Sequence, residues 1–336
     1  MSVMPTEPIT NLEGEIASED LFALHPFLYH YTGIGGLRGI VQNNTLRATH
    51  FADLNDSSEV VHLREPLSQV LQGRFLEAFR LQERGSFSIS REIKARGGLI
   101  ESARGWAFHI VDALYKNTFE DDDQYAFGDP FIVSFCSHSS DNPYERQNGL
   151  LSQWRGYGRH GGFCIVLDTK KLAGILTHEG SSHNWTHLNL AAVTYATHNI
   201  AVEDMFRDLI DQCVFFVMSF IENGQDSLMS DVFASFVPGA TLFKHQGFRE
   251  EREVRIVAMR TKAPDLRLPP LRAIKTRSVK SKQKRYVSLC EGLGIKLPIE
   301  KIIIGPSKDQ NARYKLARDM LPSDVSVCCS STPYLG

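Results

Sequence analysis

The sequence predicts an α+β protein, a single domain built on a mixed or antiparallel sheet. Three observations predict it. Runs of β-prone residues recur at irregular intervals with helical stretches set between them, rather than in the strict alternation of a parallel sheet. No internal repeat appears, and no low-complexity linker divides the chain. The 336 residues, 42% hydrophobic and 23% charged, have the composition of an ordinary globular chain, which excludes disordered and fibrous classes.

The elements follow in order. Residues 1–20 are polar and carry no periodicity, so a flexible N-terminal arm is expected there. Phe27 to Thr32 is aromatic and β-prone; Gly33, Gly35 and Gly36 then turn the chain into a short helix through Leu37, Ile40 and Val41. Thr45 to Phe51 reads as a second strand. Asp56 or Ser57 is placed to cap a helix running through Leu63, Leu67, Val70 and Leu71. Helical insertions are expected at about 60–125 and 200–236. Between them strands are expected at Pro130–Cys136, Gly162–Leu167 and Leu188–Tyr195. The last third predicts strands at Arg249–Met259, Arg285–Leu289 and Lys301–Gly305, a helix from Asp309 to Met320, and a closing strand at Val325–Cys328.

Charge and cysteine usage bound the function. A net charge of -2 offers no global field for nucleic acid or membrane. The six cysteines form no C-x-x-C pair, and residues 1–20 lack Lys and Arg, so neither a disulfide framework nor a signal peptide is indicated. The longest apolar run, Cys213 to Ile221, is about half of what a bilayer span needs. A cytoplasmic location is expected.

Several motifs fail on context. Gly156-x-Gly158-x-x-Gly161 precedes a strand, whereas a dinucleotide fingerprint must lead from strand to helix. Neither G-x-x-x-x-G-K-[ST] nor G-x-S-x-G occurs. His178, His183 and His187 surround a segment, Gly180 to Trp185, that reads as loop and lacks a completing carboxylate or thiol; no metal is assigned.

Three segments place polar groups where the pattern calls for burial. His30 shares one strand face with Leu28, opposite Tyr29 and Tyr31, and a glycine turn follows; the imidazole suits a planar amide or a ribose hydroxyl, or is satisfied by a neighbouring carbonyl. In Ser152-Gln-Trp154-Arg155-Gly-Tyr157-Gly158, Trp154 reads as a core anchor. Arg155 and Tyr157 are candidates for a phosphate and a heterocycle. If residues 249–259 are a strand, Glu251, Glu253 and Arg255 share a face that should border a cleft or solvent. A fourth segment is purely electrostatic: Arg267 to Arg285 holds eight cations and no acid, and Lys280, Lys282, Lys284 and Arg285 form its densest part. It is either a strip that follows a phosphate backbone or a solvated loop.

The order Tyr29-His30-Tyr31-Thr32-Gly33, Leu54 to Glu59, Trp154-Arg155-x-Tyr157, Lys244 to Arg255 and Ile303-Ile304-Gly305-Pro306 resembles a bacterial family catalogued as domain of unknown function 2971. That family in turn resembles the ADP-ribosyltransferases. The resemblance implies a split β core, NAD as co-substrate and no metal. It assigns His30 to the ribose and nicotinamide, Glu253 to the nicotinamide ribose and Glu251 to positioning the acceptor, these three as the catalytic groups; Tyr31, Thr32, Arg155 and Tyr157 are expected as further cofactor contacts, with the middle aromatic of the family pattern unassigned. It implies transfer of ADP-ribose to a macromolecule, nucleic acid or protein, in a toxin or phage-defence effector with a neutralising or regulatory partner. Tyr31 stands where those branches often carry Gly. An NAD glycohydrolase and a non-catalytic nucleotide or nucleic-acid binding module are the alternatives.

Overall fold

The computed structural model describes residues 17–54, 62–120, 130–158, 161–196, 202–204, 206–224, 229–260, 267–279 and 281–333. Most of the expected arm, the expected Asp56 or Ser57 cap and Lys280 lie outside these residues. Where the arm was expected to end, a short helix begins instead: α1 (Glu19–Leu24) is capped by Ser18, whose hydroxyl accepts from the Leu21 N–H at 3.2 Å.

The first strand and helix are as the pattern demands. β1 (Phe27–Thr32) leads through Gly33 into α2 (Ile34–Asn43), and β2 (Leu46–His50) follows. The first insertion is a helical layer of α3 (Arg64–Gln82), α4 (Phe87–Ala95) and α5 (Leu99–Tyr115), with the α4–α5 break at Gly97 and Gly98, both at positive φ. Phe75, Phe79, Ile110 and Leu114 bury their side chains between these helices.

β3 (Pro130–Cys136) carries the centre of the sheet. Two short helices, α6 (Pro143–Asn148) and α7 (Leu151–Tyr157), precede β4 (Phe163–Asp168). The glycines of 156–158 suggest a loose turn, yet Tyr157 ends a helix. Trp154 decides the matter: its ring is buried against Tyr31 at 4.6 Å and its indole N–H donates to the Asn148 carbonyl at 2.9 Å.

α8 (Thr169–Ser182) contains His178 and Gly180, so the first half of the expected loop is helix, and β5 (Trp185–Ala192) and β6 (Thr194–Ala196) come next. The second insertion, α9 (Arg207–Asn223) and α10 (Met229–Leu242), runs six residues beyond its expected end before β7 (Phe243–His245). The strand expected from Arg249 begins only at β8 (Glu253–Arg260), because Gln246–Glu251 closes a 3-10 turn. Arg252 sits between turn and strand at φ 43, held there by its Nε donating to the Ser137 carbonyl and by an ion pair to Glu145. β9 (Lys275–Val279), β10 (Lys282–Leu289), β11 (Ile299–Ile304), α11 (Gln310–Met320) and β12 (Ser326–Cys329) complete the chain.

β6 and β7 pair with each other, and the other ten strands form one mixed sheet, ordered β12-β11-β4-β1-β3-β2-β10-β9, with β8 pairing β3 and β5 pairing β8. All of its pairs but β11–β12 are antiparallel. The register exposes its defect. β8 pairs with β3 along its whole length, from Pro130↔Met259 to Cys136↔Glu253. The other edge of β3 is shared: β2 pairs at Phe131 and Ile132, and β1 pairs only at Cys136. Between those contacts β1 and β2 part, leaving the β3 edge at Val133, Ser134 and Phe135 without a strand partner. The sheet is split there.

Candidate functional site

A cavity of about 330 Å³ occupies the split. β1 contributes Tyr29 to Thr32, β2 Arg47 and Thr49, β3 Ile132 to Cys136, and the β7–β8 region Lys244, Glu251, Glu253 and Arg255. Gly36 and Gly39 of α2 border it as well, and a Cβ at Gly36 would meet the Thr32 hydroxyl oxygen at 1.8 Å. A side chain at Gly36 would therefore displace the Thr32 side chain.

Ser134 links the two sides. Its neighbours along β3 are buried, but it is exposed because it faces the opening. Its carbonyl accepts from Nδ1 of His30 at 3.1 Å, and its hydroxyl hydrogen-bonds the Glu253 carboxylate. A carbonyl can only accept, so the His30 proton lies on Nδ1 and the neutral ring keeps a lone pair on Nε2. Burial lowers the His30 pKa, an effect only partly offset by that hydrogen bond, so the ring is neutral at physiological pH.

Glu253 is the most heavily engaged acid of the cleft. Arg255 donates from Nε to Oε1 at 2.7 Å and from Nη2 to Oε2 at 3.0 Å, while Lys244 Nζ reaches Oε2 at 3.1 Å. Burial alone would raise its pKa; the charge and hydrogen bonds of Arg255, then Lys244 and Ser134, overcome that and hold it at about 2. Lys244 also pairs Glu251 at 2.6 Å and lies over the Phe248 ring, so two carboxylates and two cations form one neutral cluster. The hydroxyl of Tyr195 accepts from the Glu253 backbone N–H at 2.8 Å and fixes the start of β8.

The residues expected at a site are thus partly assembled. His30, Tyr31, Thr32, Tyr157, Glu251 and Glu253 all line the cavity. Glu251 arrives from the 3-10 turn, not from a strand face shared with Glu253 and Arg255. His30 and Glu253 also belong to opposite sheet faces, His30 with Leu28 and Glu253 with Arg255, and they meet only because the split opens both faces to one hollow. Tyr31 is chiefly a tether: its hydroxyl accepts from the Leu150 N–H at 2.7 Å and contacts His138 Nε2 at 3.0 Å. Arg155 is exposed on α7 and is not among the cavity-lining residues.

The family model "Protein of unknown function (DUF2971)" matches residues 153–256. Over this segment the chain is similar to DUF2971. No curated protein and no solved structure matches the chain. The DUF2971 segment runs from Gln153 in α7 to Ile256 in β8 and contains Lys244, Glu251, Glu253 and Arg255, whereas His30 and Ser134 reach the same cavity from outside it.

Half of the cations of the basic segment are committed to carboxylates or to the cavity wall. Arg272 is buried and bidentate to Glu179, at 2.6 and 2.5 Å. Lys275 pairs Glu291, Arg285 pairs Asp53, and Arg277 lines the cavity. Lys282 is exposed and Lys284 half-buried. Among the described residues no group of His, Cys, Asp and Glu is placed to hold a metal, and no helix is long and apolar enough to cross a membrane. Of the three histidines weighed for a metal, His178 is exposed on α8, His183 follows that helix beside Glu179, and His187 lies on β5.

Ser134, Lys244 and Arg277 were not foreseen as site residues. Ser134 was visible as the one hydroxyl within an apolar strand; Lys244 carried no comparable signal.

Proposed function

We propose that the split-sheet cleft binds NAD, cleaves its nicotinamide–ribose bond and transfers ADP-ribose to a macromolecular acceptor. The observation that carries the reading is that an ionised, buried carboxylate and a neutral imidazole border the same cavity. As the glycosidic bond breaks, nicotinamide leaves with the bonding electron pair and the anomeric carbon becomes oxocarbenium-like. Glu253 faces that charge and accepts from a ribose hydroxyl, while His30 Nε2 accepts from another hydroxyl or the carboxamide. The acceptor's lone pair then bonds to the anomeric carbon, and its proton passes to Glu251. A toxin or phage-defence role belongs to the same proposal and rests on the resemblance alone.

A second reading has its own support. Arg255 and Lys244 already compensate the charge that Glu253 would offer an oxocarbenium ion. A binding module that holds the nucleotide without turnover needs only that neutral cluster. Incubation with NAD labelled in either half, in the presence of protein and nucleic acid, separates the readings. Label on a macromolecule together with released nicotinamide supports transfer, and free ADP-ribose alone marks a hydrolase. Bound, intact NAD overturns catalysis. Glu253→Gln is expected to slow nicotinamide release by at least about a hundredfold, and full release by that variant overturns the mechanism.

A further inference from the structure

Arg47 on β2 and Arg277 on β9 both line the cavity, on the far side of β3 from β8. The ladders place them on one face of the sheet: Arg47 opposes Ser288, Arg277 opposes Lys284, and these two partners are four residues apart on β10. Arg47 lies over the Tyr286 ring, 5.4 Å from its centroid, and its guanidinium passes close to Gly39, where a Cβ would meet Nη2 at 3.3 Å. Among the described residues no carboxylate lies within ion-pair distance of either arginine, although Lys275 and Arg285 on the same two strands each have one. Nε of Arg277 is buried with no hydrogen-bond partner. Burial, and then the charge of Arg47, lower the pKa of Arg277.

Two half-buried guanidinium groups on one cavity wall, with no carboxylate in ion-pair reach and with a donor left open, are costly unless an anion joins them. The planar donors suit the oxygens of phosphate, which they engage in pairs. We propose that Arg47 and Arg277 form a phosphate subsite, which takes the pyrophosphate of a dinucleotide whose ribosyl bond lies toward Glu253. The phosphate assignment stands on the arginine pair; the dinucleotide rests on the function proposed above. Arg155, the arginine expected for that role, does not line the cavity, and Arg47 with Arg277 fill it from the other half of the split.

Calorimetric titration of the full chain with ADP, adenosine and inorganic pyrophosphate tests this. ADP is expected to bind at least about tenfold tighter than adenosine, and Arg47→Gln or Arg277→Gln to weaken ADP about tenfold each while leaving adenosine unchanged. Pyrophosphate is expected to compete with ADP. Equal affinities for ADP and adenosine overturn the subsite, as does ADP binding indifferent to both substitutions. Circular dichroism and melting verify the fold, and if Arg277→Gln misfolds, Arg277→Lys keeps the charge and is still expected to lose ADP affinity through loss of the paired geometry. Phosphate binding without nicotinamide release leaves the subsite standing and sinks the glycosidic reading. Nicotinamide release with an unchanged KM in both glutamine variants does the reverse.

Discussion

Glu253 links the acid stability of the fold to the charge of its cleft. Its carboxyl is held near a pKa of about 2 against an ordinary value of 4.5. The folded state therefore binds this proton less readily than the unfolded chain, so the stabilisation is complete above the ordinary value and is lost as pH falls toward 2. The gap corresponds to roughly 3 kcal/mol. Wild-type stability, measured by denaturant titration between neutral pH and pH 2, is expected to fall by that amount more than that of Glu253→Gln. The variant is expected to start lower, because its neutral amide leaves Arg255 and Lys244 undercompensated. Ser134 permits a milder intervention. Ser134→Ala removes one hydrogen bond from an exposed position, so a stability loss of about 1 kcal/mol is expected together with a marked fall in nicotinamide release; an unchanged rate would show that the hydroxyl does not orient Glu253. At this scale the sequence indicated His30 and Glu253, since polar groups in strand patterns are conspicuous. It did not indicate that Lys244 and Arg255 would share one carboxylate, because that depends on a 3-10 turn and a positive-φ residue at Arg252.

Among the elements, the connection from α8 to the segment before β9 shows how a buried charge fixes architecture. Glu179 is fully buried in the last turn of α8 and receives Arg272 through both oxygens, with the Cys290 backbone N–H adding 2.9 Å to Oε2; Arg272 Nη1 reaches the Glu291 carbonyl at 2.7 Å. One clasp thereby joins α8, the approach to β9 and the end of β10. Removing one partner strands the other charge, so Glu179→Gln or Arg272→Met is expected to cost about 3–5 kcal/mol in denaturant unfolding. The double change Glu179→Leu with Arg272→Met is expected to recover a substantial part of it. Two single losses that simply add would remove the coupling. Element identity was legible wherever apolar spacing was strong, as in β1, β3, β4 and α11. It was lost at α7 and at the end of α8, where glycine and serine argue for a loop and tertiary contacts prevail: Trp154 in the first case and the Glu179 clasp in the second.

For the whole molecule, the split between β1 and β2 matters more than any single element, because it lets side chains from both faces of a sheet reach one hollow. The sequence itself announced α+β order but not the split, which exists only in the pairing of β3; a split was implied by resemblance alone. The same three-dimensional accounting changes the expectation for nucleic acid. Of the eight cations from Arg267 to Arg285, Arg272, Lys275 and Arg285 are committed to carboxylates and Arg277 to the cavity wall. At most four of the eight are thus left to release counterions from a duplex. The salt dependence of duplex DNA binding is therefore expected to have a slope no steeper than about -4 in log K against log salt, where all eight acting together would give about -7. Electrophoretic shift or fluorescence titration across a salt series measures it, and neutralising Lys282 and Lys284 together is expected to reduce the slope by about two. A slope near the full value would mean that the carboxylate pairs open on binding, and the acceptor surface would then be the strip after all. A slope near zero would leave protein as the acceptor class, approached from the Glu251 side of the cleft.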